Sequence, residues 1–209
     1  MEKIVVIGGG GHARVLISIL LKNNDYEMMG YTDKIDNDKI LGIPYLGNDE
    51  VLESFFKQDV KNAAIGLGIV NISEDRKKFI ENIKRIGFNF PSIISNSAII
   101  NQSTLISEGT HIFDGVIINS GSQIGSYSII NTGSIIEHDC EIGNNCHIAP
   151  GAVLSGSVKL GNNSMIGAGA IIIPNIKISE KVMVGAGSVV IKDIYESGTY
   201  VGNPTRKIN

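Results

Sequence analysis

The sequence lacks tryptophan, has only two cysteines among its 209 residues, and is poor in aromatic residues (6%) and charged residues (19%). Two cysteines are too few for the disulfide framework of a small secreted protein. The net charge is −3 and no Lys/Arg cluster is present, so the basic stripe of a nucleic-acid-binding protein is missing. No apolar run approaches the ~20 residues that cross a membrane, and residues 1–7 lead directly into a strand pattern rather than a signal peptide. We therefore expect a soluble cytoplasmic protein that binds neither nucleic acid nor membrane.

The most prominent feature that is present is an aliphatic side chain at every sixth residue of the C-terminal half. From Ile94 to Val190, each step of six residues finds Ile, Leu or Val, and a small or β-branched residue lies four residues after most of them. A helix repeats about every 3.6 residues and a strand about every 2, so neither explains this period. A short strand and a turn do, and three such units close one triangular coil. We predict an all-β parallel β-helix of hexapeptide repeats over residues 91–194, with these aliphatic side chains pointing inward, and a non-repeating tail over residues 195–209.

Residues 1–90 show a β-α-β pattern and predict an α/β, Rossmann-like domain. Strands are expected at residues 3–7, 28–32 and 63–65. A helix that ends near Asn23 follows the first strand, and its predicted apolar face contains Val15, Leu16, Ile19 and Leu20. A second helix is predicted to have Ser73 as its N-cap, Glu74 and Asp75 in its first turn, an apolar stripe of Phe79, Ile80, Ile83 and Ile86, and Gly87 after its last turn.

The loop after the first strand has the pattern G-x-G-x-x-A at Gly8, Gly10 and Ala13, with an acidic residue further on at Asp33. Such a loop brings phosphate oxygens close to backbone N–H groups at the start of a helix. The domain is too short for a complete dinucleotide-binding fold. A nucleotide diphosphate attached to a substrate is therefore favoured over NAD, while a tight turn without a ligand stays an alternative.

Among the four histidines, His138 has the most informative surroundings, since Glu137-His138-Asp139 interrupts an otherwise apolar repeat. Its place in the hexapeptide is a turn position, so we expect it to be exposed on an edge of the prism. An imidazole beside a carboxylate can act as a general base; the alternative is a solvated turn histidine.

The remaining histidines and the cysteines give weaker signals. His147 either flanks the same groove or lies on a face of the prism. His111 is two coils before His147, about 10 Å away along the axis, which is too far for both to bind one metal ion. Cys140 and Cys146 occupy the small-residue position of the repeat and are expected in the core.

Three segments carry a resemblance to a known family: residues 7–13 (IGGGGHA), 131–140 (NTGSIIEHDC) and 201–204 (VGNP). With the repeats, they make nearly the whole chain resemble the bacterial sugar O-/N-acyltransferases. These include N-acetyltransferases of nucleotide-linked 4-amino sugars, of the bacillosamine and perosamine type, and sialic acid O-acetyltransferases. The resemblance implies a left-handed coil, against the usual right-handed crossover, and a homotrimer with active sites between subunits.

The resemblance also implies roles for individual residues. His138 is expected to be the general base and Asp139 to support it. His147 is expected to help hold acetyl-CoA, and the Gly156 N–H to face the thioester oxygen. No metal ion is expected. The residues expected to bind the nucleotide sugar are Gly10, Gly11, His12, Asp33, Lys34 and Gly68, with Asn131 near the acceptor group.

The expected function is acetyl-CoA-dependent N-acetylation of a nucleotide-linked (UDP, dTDP or GDP) 4-amino-4,6-dideoxyhexose. O-acetylation of sialic acid or another sugar is an alternative that the sequence does not separate from it. A zinc lyase of the carbonic anhydrase type would need three converging histidines. A non-catalytic nucleotide-sugar-binding protein would leave Glu137-His138-Asp139 unexplained.

Overall fold

The computed structural model describes residues 1–69 and 75–208, which divide into two compact units. Residues 1–68 and 75–96 form the first unit, and residue 69 with residues 97–208 forms the second. The predicted cap Ser73 and the acidic Glu74 lie outside the described residues. No helix within the described residues has the length and apolar character needed to cross a membrane.

The first unit is an α/β domain, as predicted, built around a three-stranded parallel sheet. Strand β1 lies in the centre and pairs with β2 on one side and β5 on the other. A single turn of 3-10 helix (Asp49–Val51) precedes α2. The elements in chain order are β1 (Glu2–Ile7), α1 (Gly11–Asn23), β2 (Tyr26–Thr32), β3 (Lys39–Ile40), β4 (Ile43–Pro44), α2 (Leu52–Lys57), β5 (Asn62–Ile65), α3 (Asp75–Ile86) and β6 (Ile93–Ile94).

Two parts of this unit differ from the sequence-based expectation. The predicted apolar face of α1 was wrong at Val15, which is exposed. The helix instead buries Ala13, Leu16, Ile17, Ile19 and Leu20, because positions 13, 16, 17 and 20 have the three- and four-residue spacing of one helix face. The β3–β4 hairpin and α2 were not predicted, since both are too short to produce a periodic pattern.

The second unit is the predicted β-helix, a left-handed solenoid of about six coils. Its strands are mostly two residues long and pair in parallel with the strand 18 residues away, as Ile117 does with Ile135. The strands are β7 (Ile99–Ile100), β8 (Leu105–Ile106), β9 (His111–Ile112), β10 (Ile117–Ile118), β11 (Gln123–Ile124), β12 (Ile129–Ile130), β13 (Ile135–Ile136), β14 (Glu141–Ile142), β15 (His147–Ile148), β16 (Val153–Leu154), β17 (Lys159–Leu160), β18 (Met165–Ile166), β19 (Ile171–Ile172), β20 (Lys177–Ile178), β21 (Val182–Val184), β22 (Val189–Val190), β23 (Gly198–Val201) and β24 (Arg206–Lys207).

These strands form the three faces of a triangular prism. The first face runs β7-β10-β13-β16-β19-β22, and the second runs β8-β11-β14-β17-β20. The third contains β9, β12, β15, β18, β21 and β23 in that order. The second residue of each strand points into the prism, and from Ile112 to Val190 every such residue is buried. Ile100 and Ile106 are only half-buried, because they belong to the first coil and have a stacked coil on one side only.

The segment after the last repeat does more than the predicted tail. Strand β23 continues the third face by pairing in parallel with β21, and β24 then turns back and pairs antiparallel with β23. Further backbone bonds join Val189 N–H to Gly202 O and Thr205 N–H to Val189 O. The tail therefore supplies hydrogen-bond partners to a coil edge that would otherwise be left open.

Candidate active site

His138 lies in the turn between β13 and β14, on an edge of the prism, with 62% of its side chain exposed. Its Nδ1 is 2.9 Å from Oδ2 of Asp139. Because a carboxylate only accepts hydrogen bonds, Nδ1 carries the proton and donates it, and the lone pair of the neutral ring lies on Nε2. The predicted turn position and exposure are confirmed, and the surroundings match what a general base requires.

The Asp139 carboxylate is itself held by its neighbours in the adjacent coil. Its backbone has φ of 58°, and its N–H donates to Ser120 O at 3.1 Å. A Cβ on Gly121 would lie 2.6 Å from Asp139 Oδ1, so this position has room for the carboxylate only because it is glycine. Sequence reasoning did not single out Gly121, although its position 18 residues before Asp139 placed it in the next coil.

Gly156 lies in the same turn column as His138, one coil further along. An ideal Cβ on Gly156 would lie 2.6 Å from His138 Nε2, so the imidazole rests directly against this glycine. The structure therefore brings together three of the predicted residues: His138, Asp139 and Gly156.

The Gly156 N–H has no acceptor in the part of the chain that the structure describes. At a neighbouring edge of the prism, the equivalent N–H groups are bound by asparagine from the next coil: Ser126 N–H by Asn144 Oδ1 at 2.8 Å, and Asn144 N–H by Asn162 Oδ1 at 2.7 Å. The residue in that place beyond Gly156 is Pro174, whose side chain has no acceptor. A backbone donor is thus available beside the lone pair of His138, and Pro174 is a residue that sequence reasoning missed.

His147 and Asn131 form a second cluster within the β-helix. His147, only 9% exposed, has Nδ1 2.7 Å from Ile69 O and Nε2 3.1 Å from Asn131 Nδ2. Asn131 Oδ1 accepts from Thr132 N–H at 2.8 Å, which fixes the orientation of the amide. A carbonyl at Nδ1 and an amide N–H at Nε2 together require the neutral tautomer with its proton on Nδ1. His147 is therefore held by hydrogen bonds, neither exposed on a face nor metal-bound.

Cys140 and Cys146 are fully buried in the interior of the prism, which confirms their prediction as core residues. Burial raises the pKa of the Cys140 thiol, and raises the pKa of Cys146 to about 12. Both groups are therefore protonated thiols at neutral pH and can donate a hydrogen bond.

In the first unit, Gly10 and Gly11 begin helix α1. Gly10 is the N-cap with no side-chain cap bond, and the first turn contains no acidic residue. A Cβ at either glycine would meet nothing within 4 Å. The orphan N–H groups of this turn, together with the positive end of the helix dipole, favour an anion in the open space beside them.

The other predicted ligands of this unit lie close to that loop. The Asp33 carboxylate accepts hydrogen bonds from Gly9 N–H and, at 3.1 Å, from Ile35 N–H, so it holds the loop in shape. Lys34 is exposed. A Cβ on Gly68 would lie 3.5 Å from His12 Cβ, an ordinary contact, whereas a Cβ on Gly66 would lie 2.8 Å from Ala13 Cβ. Packing therefore explains the glycine at 66 but not the glycine at 68.

Among residues 1–69 and 75–208, no three His, Cys, Asp or Glu side chains lie close enough together to hold a metal ion. His111 is the first residue of β9 and is buried there.

Comparisons with known proteins agree with this architecture. Residues 3–83 match the family model of the PglD N-terminal domain, and residues 121–156 and 157–192 match that of the bacterial transferase hexapeptide with six repeats. A search of curated proteins found no match.

Several solved structures are similar over their whole length. PerB from Caulobacter crescentus, in complex with CoA and GDP-perosamine, is 33% identical with a TM-score of 0.92, covering 100% of this chain and 98% of that one. The acetyltransferase domain of PglB from Neisseria gonorrhoeae FA1090, in complex with acetyl coenzyme A, is 29% identical with a TM-score of 0.92, covering 99% of each chain. WeeI from Acinetobacter baumannii AYE is 24% identical with a TM-score of 0.86 and full coverage of both chains, and it shows the fold alone.

Fold, repeats and relatives define an acyltransferase of the hexapeptide-repeat class. The chain belongs to the bacterial sugar acyltransferase family that joins a PglD-type N-terminal domain to a left-handed β-helix.

Proposed function

We propose that this enzyme transfers the acetyl group of acetyl-CoA to the 4-amino group of a nucleotide-linked 4-amino-4,6-dideoxyhexose. The observation that carries the proposal is the position of His138, with Nδ1 bound to Asp139 and Nε2 against Gly156. The similar PerB structure contains CoA and GDP-perosamine, and the similar PglB domain contains acetyl coenzyme A.

In this mechanism, the neutral acceptor amine attacks the carbonyl carbon of the thioester and a C–N bond forms. His138 Nε2 takes a proton from the attacking nitrogen, and Asp139 stabilises the imidazolium that results. No covalent enzyme intermediate is needed, because both described cysteines are buried, protonated thiols.

The negative charge of the tetrahedral intermediate develops on the former carbonyl oxygen. The Gly156 N–H, which has no acceptor among the described residues, donates to this oxyanion. When the C–S bond breaks, the CoA thiolate leaves and His138 returns the proton to sulfur. Amide and free CoA are the products, and the enzyme regains its starting protonation state.

The remaining predicted residues have binding roles in this proposal. Asn131 and His147 position the donor and acceptor groups, with His147 as a neutral ring. Gly10 and Gly11 bind the acceptor's diphosphate through backbone N–H groups, and Asp33 keeps this loop in shape. His12, Lys34 and Gly68 contact the rest of the nucleotide sugar. The active molecule is a homotrimer, in keeping with the family resemblance.

The test is a thiol-release assay with acetyl-CoA against UDP-, dTDP- and GDP-linked 4-amino sugars, with free sialic acid in the same panel. We expect CoA release with one amino sugar and none with sialic acid, and mass spectrometry should show an N-acetyl product. Release with sialic acid alone would replace this proposal by O-acetylation, and the glycine loop would then need another ligand.

A further inference from the structure

The interior of the prism contains a column of short polar side chains beside the edge that carries the active site. Ser122 and Cys140 are successive members of this column, 18 residues apart, and both are fully buried. Ser122 Oγ donates to Glu137 O at 2.7 Å, and Cys140 Sγ donates to Ser155 O at 3.2 Å. Each side chain thus holds the carbonyl 15 residues further along.

These two carbonyls belong to the peptide groups that enter the active site. Glu137 O is part of the peptide that continues into His138, and Ser155 O is part of the peptide that continues into Gly156. Ser122 also accepts from Cys140 N–H at 3.1 Å, so one hydroxyl binds both ends of the turn that contains His138 and Asp139. The active-site turn is therefore fixed from inside the coil.

The bond from Cys140 has a directional consequence for Gly156. In a planar trans peptide, the C=O and the following N–H point in opposite directions. Because the interior thiol holds Ser155 O towards the core, the Gly156 N–H is turned outward, to the side where His138 Nε2 lies. The next member of the column is Val158, which has no donor, and the peptide it faces leads into Pro174, which has no N–H.

We infer that Cys140 is a positioning residue: its buried thiol holds the Ser155–Gly156 peptide in the orientation that presents the Gly156 N–H to the reacting carbonyl. The inference rests on the proposed function of that N–H as the oxyanion donor. The thiol acts as a hydrogen-bond donor and takes no part in bond making or breaking.

The chain supplies a matched control in Cys146. This residue occupies the same place in the next hexapeptide, is equally buried, and has Sγ 3.2 Å from Gly161 O. The turn it supports contains Asn162, whose side chain binds Asn144 N–H, and none of the active-site residues. Loss of this thiol should disturb the core to a similar degree without touching Gly156.

The experiment compares Cys140→Val and Cys146→Val, with Cys140→Ser as the conservative variant, all in the full chain. Valine removes the donor and is already tolerated in this column at Val158. Serine keeps a donor and already fills the equivalent places at Ser122 and Ser128. We expect kcat of Cys140→Val to fall roughly 10-fold, since a displaced oxyanion donor loses its effect on the transition state. KM for acetyl-CoA should change little, Cys140→Ser should retain most of kcat, and Cys146→Val should match the wild type.

Equal loss of kcat in the two valine variants would overturn the inference, because it would mean a general effect of core packing. A second readout keeps this separate from the proposed function: the amide signal of Gly156 in NMR spectra of protein labelled with 15N-glycine. If the wild type transfers no acetyl group to any amino sugar, the proposed function fails. The positioning is still supported if the Gly156 signal moves in Cys140→Val and not in Cys146→Val, and is overturned if it moves in neither.

Discussion

The neighbours of His138 determine which of its nitrogens can act as a base. Asp139 engages Nδ1 at 2.9 Å, and Gly156 leaves space at Nε2 where any larger residue would collide. Both side chains of the pair are about two-thirds exposed, at 62% and 67%, so their ion pair contributes little to stability. The arrangement orients a reactive nitrogen and does not hold the fold together.

His138→Ala should therefore reduce turnover while leaving the fold intact. General-base catalysis typically contributes about 10²–10⁴-fold, and we expect kcat to fall by that factor while the circular dichroism spectrum and Tm stay close to the wild type. Ser120→Ala, at the same turn position one coil earlier, is the control and should be fully active. Turnover like that of the wild type in His138→Ala would remove this residue from the mechanism.

Pro174 gives a test of the Gly156 N–H that does not alter Gly156 itself. Asn144 and Asn162, at the equivalent place on a neighbouring edge, bind the turn N–H of the previous coil with their side-chain oxygen. Pro174→Asn should copy this bond and occupy the Gly156 N–H. We expect kcat to fall by roughly 10²-fold, the scale on which a lost oxyanion donor acts, with no loss of thermal stability.

Pro174→Ala is the matched control, because alanine also lacks a side-chain acceptor. It should keep most of the activity, measured by the same thiol-release assay. If the asparagine and alanine variants were equally active, the Gly156 N–H would not be the donor that the reaction uses.

At the scale of elements, each short strand contributes one inward aliphatic residue that stacks on those of the coils above and below. Ile130 in β12 is fully buried and pairs in register with Ile112 and Ile148. Ile130→Ala should cost about 2–5 kcal/mol, because it leaves a cavity between rigid coils. Gln123→Ala in β11, an exposed site on the second face, should stay within about 0.5 kcal/mol. Chemical denaturation at a fixed protein concentration measures both, and a small effect at Ile130 would mean that the coils close over the cavity.

The elements also show what the sequence could predict. The six-residue period identified every inward position from Ile112 to Val190, because one repeat imposes the same environment at each step. In the first unit, α2 spans six residues and the β3–β4 hairpin has two-residue strands. Segments of this length contain less than two full periods, so their pattern is not distinguishable from that of a loop.

For the site, a single motif indicated His138 and Asp139, whereas Pro174, Gly121 and the donor role of Cys140 emerged from the structure. Their signal is the 18-residue spacing that stacks residues of successive coils. It was read along the interior column for burial and not along the turn columns for hydrogen bonding. The bonds of His147 to Ile69 and Asn131 depend on side-chain orientation, which residue spacing does not determine.

At the scale of the whole molecule, the three faces of the prism differ in chemistry. The outward residues of the first face are all aliphatic: Ile99, Ile117, Ile135, Val153, Ile171 and Val189. The second face presents Gln123, Glu141, Lys159 and Lys177 instead, with an exposed ion pair of 2.6 Å between Glu141 and Lys159. A continuous aliphatic stripe is unusual on a surface that faces water. The homotrimer that we propose would cover it with an identical solenoid, whose coils rise in the same steps.

Ile171→Glu tests this assignment, since Ile171 is 43% exposed and lies in the middle of the C-terminal part of the stripe. A carboxylate desolvated at an interface without a partner is costly, so we expect the variant to dissociate. Light scattering after size exclusion should give three times the 22.4 kDa chain mass for the wild type and the mass of one chain for the variant. Lys177→Glu changes charge on the second face and should remain trimeric. If active sites form between subunits, the dissociated Ile171→Glu should also lose transferase activity while keeping its β-helix circular dichroism spectrum. An active monomer would show instead that one chain contains the complete site.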